Sequence, residues 1–443
     1  MSDPLNHSEL SHLEFDWPPE TWREVGGQLL EMAISTSTGW TERRPSPAEE
    51  VEVRAHFRDP LPDKPVAVDG LLRRIEEELI PAAAFNGHPR WFAYITASPL
   101  PISVLGDLFT SALNQNAGLW RLAPAAIAIE LQTIDWIKEM LGFPAAAEGI
   151  FVSGGQMANI VAHTVLRDAK APWDTRRHGL RPPTTDAPRL RIYASQEVHY
   201  CHEQAAELLG LGRESVRLVP VDDTYRIRVD ALKSMIAEDR ARGDLPIAVV
   251  GTAGTVGTGA VDPLGELLAV ARSEEMWFHV DGAYGAFAAL APSCPHDLKV
   301  IAEADSVACD PHKWLYSSID AGVVIIRQQG LLEGSFAFHA PYLATAGSPE
   351  KVDMVERSPE NSRPFRALKV WLALQAYGRD GYSGMIEQNL QLAAYMASLV
   401  QSTPQLALSA PRQLSIVCWR VEPSGMTNPD ELDQLQTDVI HQL

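Results

Sequence analysis

IAVVGTAGTVGTGAVDPLGELLAVARSEEMWFHVDGAY, residues 247–284, decides the fold. Two apolar runs of strand length, IAVVGTAG and WFHVDGAY, end in glycine-containing turns. Between them LGELLAVARSEE has helical spacing and opens near Pro263. The same alternation extends outward from about residue 90. Strand candidates GIFVSG, RLRIYAS, SVRLVPV, SVACD and GVVIIR interleave with helical stretches such as MANIVAHTVLRDA and ALKSMIAEDRARG. Alternation of this kind predicts an α/β fold, a mostly parallel sheet covered by helices on both faces.

The flanks read differently. Residues 1–20 form a loose tail, after which Trp22, Val25, Leu29 and Met32 share a helical face. The stretch 41–67, rich in proline and charge, predicts an extended connection; Val68, Leu72, Ile75 and Leu79 predict a second helix, stopped near Pro81. Two such helices bury their stripes poorly on each other and are expected to pack on another domain or subunit. Residues 171–188 read as a surface insertion. From 363 come a long helical run, a helix around 385–400, two β-like segments (LALSA and LSIVCWRV) and a last helical run reaching Leu443, which reads as ending mid-element. The expected organisation is 1–85, an N-terminal helical segment; 86–362, a large domain; and 363–443, a small and apparently truncated C-terminal α+β domain.

Bulk properties narrow the function. The 443 residues carry a formal charge of −20, which argues against nucleic acid or an anionic membrane as a partner. Hydrophobic residues at 46% and charged residues at 21% are those of an ordinary globular protein. The four cysteines are widely spaced, so neither a disulfide framework nor a metal site is expected. The amino terminus lacks a secretory pattern and no apolar run reaches membrane-spanning length, which predicts a cytoplasmic protein.

In an open α/β sheet, ligands lie beyond the carboxyl ends of the strands, and four candidate loops fall there. Gly154–Gly155 stand between a strand and a helix, where uncrowded backbone N–H groups can cradle a phosphate. GTAGTVGTG (251–259) adds glycines and hydroxyls without a dinucleotide fingerprint. Asp281 ends an apolar strand; alone it reads as a turn cap, and in company as an acid partner for a protonated ring nitrogen. Lys313, in ACDPHKWLY (308–316), stands among apolar neighbours; burial that lowered its pKa would make it a nucleophilic amine able to form a Schiff base. A phosphate cradle, a hydroxyl-lined wall, an acid and an amine form the set that holds pyridoxal 5'-phosphate (PLP).

From about residue 15 to about 420 the chain resembles the group II pyridoxal-phosphate-dependent decarboxylases, the aromatic-L-amino-acid decarboxylase-like family. The motifs HPRWFAYITAS (88–98), NQNAGLW (114–120), HVDGAY (279–284) and DPHKWL (310–315) carry the likeness. The resemblance implies the fold-type-I, aspartate aminotransferase-like architecture and a homodimer with shared active sites. It makes Lys313 the Schiff-base lysine and Asp281 the partner of the pyridine nitrogen. Gly155 and Gln156 match the phosphate loop, and His199 the histidine stacked on the ring. Thr255, Ala283 and His312 match cofactor-lining positions, with Asp310 beside them, and Tyr94 and Thr96 match the substrate-side wall. Tyr342, in the loop-like stretch 335–364, matches the tyrosine that protonates the α-carbon after carbon dioxide leaves, and Ser362 a position facing the substrate ring. Of a Thr-Glu pair common in relatives only Glu130 is kept, and relatives continue for several tens of residues beyond 443. The implied activity is decarboxylation of an L-amino acid, aromatic by resemblance. The alternatives are another fold-type-I activity (an aldehyde synthase or an aminotransferase) and a truncated inactive homologue acting through dimerisation.

Overall fold

A computed structural model describes residues 17–43, 50–180, 187–338 and 352–442. The chain divides into two compact units, Met1–Ser98 and Pro99–Leu443. The first is helical. Its longest helix, α1 (Pro19–Thr38), starts with proline at its first position, where the missing N–H costs no hydrogen bond. No residue of α1 is buried. Residues 50–56 form a short helix where an extended connection was expected. EVEVRAH itself contains neither glycine nor proline; the breakers lie on both sides of it. Helix α2 (Val68–Arg74) continues through a widened turn, Ile75–Leu79, and stops at Ala82, next to Pro81 as expected. In that turn the Ile80 N–H reaches back five residues to the Ile75 carbonyl.

The second unit is built on a seven-stranded sheet. In chain order it contains α3 (Pro101–Leu113), α4 (Pro124–Leu141), β1 (Glu148–Val152), α5 (Gly155–Lys170), β2 (Leu190–Ser195), α6 (Cys201–Leu208), β3 (Val216–Val219), α7 (Val229–Ala241), β4 (Leu245–Thr252), α8 (Leu264–Ser273), β5 (Trp277–Asp281), β6 (Ser306–Cys309), the single turn α9 (Pro311–Trp314) and β7 (Gly322–Ile326). All seven strands stand where the apolar runs place them. Spatial order is β1-β7-β6-β5-β4-β2-β3. Strands β6, β5, β4, β2 and β3 pair in parallel, while β7 is antiparallel to both neighbours. Two reversals restore direction, so β1 ends on the same edge of the sheet as β4, β5 and β6. In register, Thr252 faces Asp281 and Asp281 faces Ala308, which sets the last residues of three strands side by side.

Strands β1, β2, β5, β6 and β7 are buried along their whole length, as near-continuous apolar runs require. The α5 residues Ala158, Val161, Ala162 and Val165 close one face, with no exposed surface. Each fully buried valine contributes on the order of 1.5–3 kcal/mol, so this face fixes where α5 begins. Beyond the sheet, α10 (Ala367–Ser402) breaks its helical path at Gly378, whose φ of 63° glycine tolerates. Strands β8 (Leu406–Leu408) and β9 (Trp419–Val421) pair antiparallel, and α11 (Pro429–Gln442) follows with Leu432 buried and Ile440 71% exposed. Among the described residues no helix is long and apolar enough to cross a membrane.

Candidate active site

The strand ends and the start of α5 border an open cleft lined by residues from β4, β5, α5 and the turns after β2 and β6. Gly155, Gln156, His199, Asp281, Ala283 and Lys313, each singled out from the sequence, share its wall. Glycine is required at 155. A Cβ there would stand 2.8 Å from the Ala283 methyl and 2.8 Å from Asp310 Oδ2, closer than packed atoms approach. At Gly254, φ is +96° and a Cβ would meet the Tyr284 ring at 2.6 Å. These close approaches let two backbone turns border the cleft.

Lys313 is not sealed among its apolar neighbours as its sequence surroundings suggest. Trp314 and Leu315 turn into the core, Trp314 stacking on Tyr284 at 4.8 Å, while the lysine amine stays partly exposed at the cleft. Its Nζ pairs with Asp310 Oδ2 at 3.1 Å. Asp310 is almost fully buried, burial pushes its carboxyl up, and its Oδ1 has no partner. His312 stands beside it, Nε2 3.6 Å from Asp310 Oδ2, while its Nδ1 accepts the Ala321 N–H. Burial lowers the His312 imidazole.

Asp281 closes β5 with its carboxylate buried. Oδ1 accepts the Ala283 N–H at 3.1 Å; Oδ2 accepts from His202 Nε2 at 2.9 Å and from Asn159 Nδ2 at 3.3 Å. Burial alone would push this carboxyl up, but the His202 hydrogen bond and the surrounding imidazoles outweigh it and hold the group well below the usual carboxylate range. His199 is half-buried, its ring 4.3 Å from Tyr200 and its Nδ1 accepting the Cys201 N–H at 3.2 Å. Burial lowers its imidazole. Gln156 donates to Gln204 Oε1 at 2.8 Å.

Other expected residues stand elsewhere. The Thr255 hydroxyl is engaged with Thr258 and the Ala260 N–H; Thr252, Gly254 and Val256 line the cleft from that segment instead. Tyr94 and Thr96 belong to the 1–98 unit, Tyr94 at a positive φ of 59° and 87% exposed. Tyr342 lies outside the described residues. Ser362 is exposed, next to the buried Arg363. Glu130 has no part in the cleft: it forms a buried ion pair with Arg363 at 2.7 Å.

The sequence reading overlooked what stands behind Asp281. Asn159 and His163 are four residues apart on α5 and therefore on one face, beside apolar residues that cover the sheet. Two polar groups on a helix face otherwise meant for the core were the available signal. Cys201, His202 and Asp281 bring their ligand atoms within 4.8 Å, a spacing that suits a metal ion. The chemistry does not suit one, because burial pushes the Cys201 thiol up to about 12 and its sulfur accepts the Asn159 amide at 3.3 Å. The donor set does suit PLP. A buried anion, an amine on the same cleft and a glycine turn opening a sixteen-residue helix match its ring nitrogen, aldehyde and phosphate. Beside that turn the buried Asp310 Oδ1 is left without a partner.

Comparison with known proteins agrees. Residues 51–422 match the model of the "Pyridoxal-dependent decarboxylase conserved domain". The aromatic-L-amino-acid decarboxylase of Bacillus atrophaeus is 31% identical over 427 residues, covering 96% of this chain and 86% of that one. The L-2,4-diaminobutyrate decarboxylase of Acinetobacter baumannii is 29% identical over 394 residues, 85% of this chain and 76% of the relative. The crystal structure of Oryza sativa TDC with PLP and tryptamine superimposes with a TM-score of 0.88 at 24% identity, over 100% of this chain and 90% of that one.

Proposed function

The chain is a member of the pyridoxal-dependent decarboxylase family, a PLP-dependent carboxy-lyase, and on that premise we propose that it converts an aromatic L-amino acid to its amine and carbon dioxide. The observation that carries the reading is the placing of the Lys313 amine and the buried Asp281 carboxylate on one cleft. When bound, the cofactor supplies an electron sink for the pair released as the carboxylate departs. The chain's own residues have the following roles. Asp281, kept anionic by three donors, would hold a proton on the ring nitrogen. Lys313, whose Nζ now pairs with Asp310, would hold the cofactor through its aldehyde. Gly155 and Gln156 would receive the phosphate, with His312 close to the same turn, and His199 and Ala283 would bound the ring. The Tyr342 hydroxyl would deliver the proton to the α-carbon.

Two features support an aromatic rather than an acidic side chain. No arginine lines the cleft among the described residues, so an acidic side chain has no dedicated cation there. The Bacillus relative bears the aromatic name, although the Acinetobacter relative is named for diaminobutyrate. A cytoplasmic homodimer completes the reading. It is supported by α3, which leaves Val104, Leu105, Leu108, Phe109 and Leu113 exposed on one helix. The test is a panel of L-amino acids with mass-spectrometric detection of product, run on wild type and Lys313→Ala. Amine and carbon dioxide from an aromatic substrate are expected from wild type. The variant should lose both turnover and the visible absorbance of lysine-bound cofactor. Aldehyde and ammonia as products, or a variant that keeps band and turnover, would overturn the assignment.

A further inference from the structure

Two chains of hydrogen bonds end on Asp281, and the direction of each can be derived. Trp277 Nε1 can only donate, and it donates to Ser306 Oγ at 2.8 Å. The Asp281 carboxylate can only accept, so Asn159 gives it Nδ2 and presents Oδ1 to His279 Nε2, 2.8 Å away; in the neutral ring Nε2 therefore carries the proton, and the bare Nδ1 accepts from Ser306 Oγ at 2.8 Å. The same Asn159 Nδ2 also faces Cys201. Every donor in this chain faces the carboxylate.

In the second chain, His163 Nε2 lies 2.9 Å from His202 Nδ1, and His202 Nε2 lies 2.9 Å from Asp281 Oδ2. Both rings have no exposed surface, and His163 Nδ1 has no partner. If His202 carried protons on both nitrogens, His163 Nε2 would have to accept one. The His163 proton would then sit on Nδ1 as a buried N–H with nothing to receive it, an arrangement native proteins avoid. With the proton on His163 Nε2, only a lone pair is left without a partner. Burial also draws His163 far from protonation.

We infer that His163 is a positioning residue: by donating from Nε2 to His202 Nδ1 it keeps the His202 ring neutral with its one proton on Nε2. Asp281 then receives a hydrogen bond without a countercharge. An imidazolium in the same place would form an ion pair and spend the carboxylate's charge inside the protein. The relay thus reserves a full negative charge at the cleft wall, suited to a ligand that presents a cationic ring N–H. The inference rests on Asp281 being the ring-nitrogen partner.

The test has two arms. In cofactor-stripped protein labelled with 15N-histidine, NMR distinguishes bare from protonated ring nitrogens. The expected result is one of each on both His163 and His202, with Nε2 protonated. A doubly protonated His202 at neutral pH would overturn the inference, whatever the cofactor does. In the second arm, PLP affinity and the pH titration of its bound absorbance are measured for His163→Leu and His163→Gln, with the melting temperature of the stripped proteins alongside. Leucine cannot donate and should weaken binding about tenfold and move the spectral titration, whereas the glutamine amide can donate and should return both to near wild type. Wild-type affinity and spectrum in the leucine variant, or equal impairment in both variants, would overturn it. Asp281→Ala separates the underlying reading: if that variant binds the cofactor with unchanged affinity and spectrum, the ring-nitrogen assignment fails while the NMR result still stands.

Discussion

Arg363 and Glu130 are both shielded from solvent, and the guanidinium holds more than its carboxylate. Nη2 reaches Glu130 Oε1 and the Phe151 carbonyl, each at 2.7 Å, and Nη1 donates to the Ala117 carbonyl at 3.1 Å. The Phe151 N–H in turn donates to Glu130 Oε1 at 3.1 Å, so the pair grips β1 just ahead of the glycine turn. Arg363→Met would leave a buried carboxylate with no countercharge, and a loss of about 3–5 kcal/mol is expected in urea unfolding. The double variant Arg363→Met with Glu130→Leu should recover most of it, because the stranded charge is gone. A second residue-scale prediction concerns acid. Burial lowers His279 to about 3 and takes His163 well below the ordinary value, so folded protein resists protons that the unfolded chain accepts. Between about pH 6.5 and 3 the unfolded state therefore binds more protons, and stability falls as pH falls through that window. Asp262, pushed up to about 6 by burial, works in the opposite direction between about 4 and 6. His279→Gln should flatten the wild-type loss by up to about 1.4 kcal/mol per pH unit, read from urea midpoints at pH 7 and pH 5.

The turn between β1 and α5 is where an element's position becomes chemistry. Gly155→Ala adds one methyl into a space bounded by Ala283 and Asp310. An overpacking cost of about 1–3 kcal/mol is expected, together with weaker PLP binding measured by fluorescence titration. A variant with unchanged affinity would show that this turn does not border the phosphate. At this scale much was legible. Strands of four to eight apolar residues between glycine turns left little choice of element, and Asp281 and Lys313 stood out because charged groups rarely follow such runs. What was illegible had a physical cause. Residues 50–56 carry no strong apolar period, so proline-rich surroundings masked the helix. His202 stands three residues from His199, and nothing local tells which of two nearby histidines faces a strand end. Asn159 and His163 were hidden inside a helix whose job appeared to be burial. The destination of a buried polar side chain depends on partners from other elements, here β5 and α6, and spacing along one helix cannot name them.

For the molecule as a whole, the exposed apolar row on α3 leads to a solution measurement. Sedimentation should give twice the chain mass, and Leu108→Glu together with Phe109→Glu should shift the protein toward monomer with reduced turnover. A wild-type monomer with full activity would contradict the proposed assembly. The antiparallel strand β7 has a further consequence. Val152, immediately before the glycine turn, pairs with Gly322, and a Cβ on Gly322 would fall 2.4 Å from Gly154 Cα. Among the described strands β1 pairs with β7 alone, so it waits unpartnered while the intervening polypeptide is made. At roughly 5–20 residues per second the ribosome spends many seconds on that interval. Vitamin capture is therefore a late event in biogenesis: a nascent chain released before β7 has left the exit tunnel would lack the buttress behind its phosphate turn.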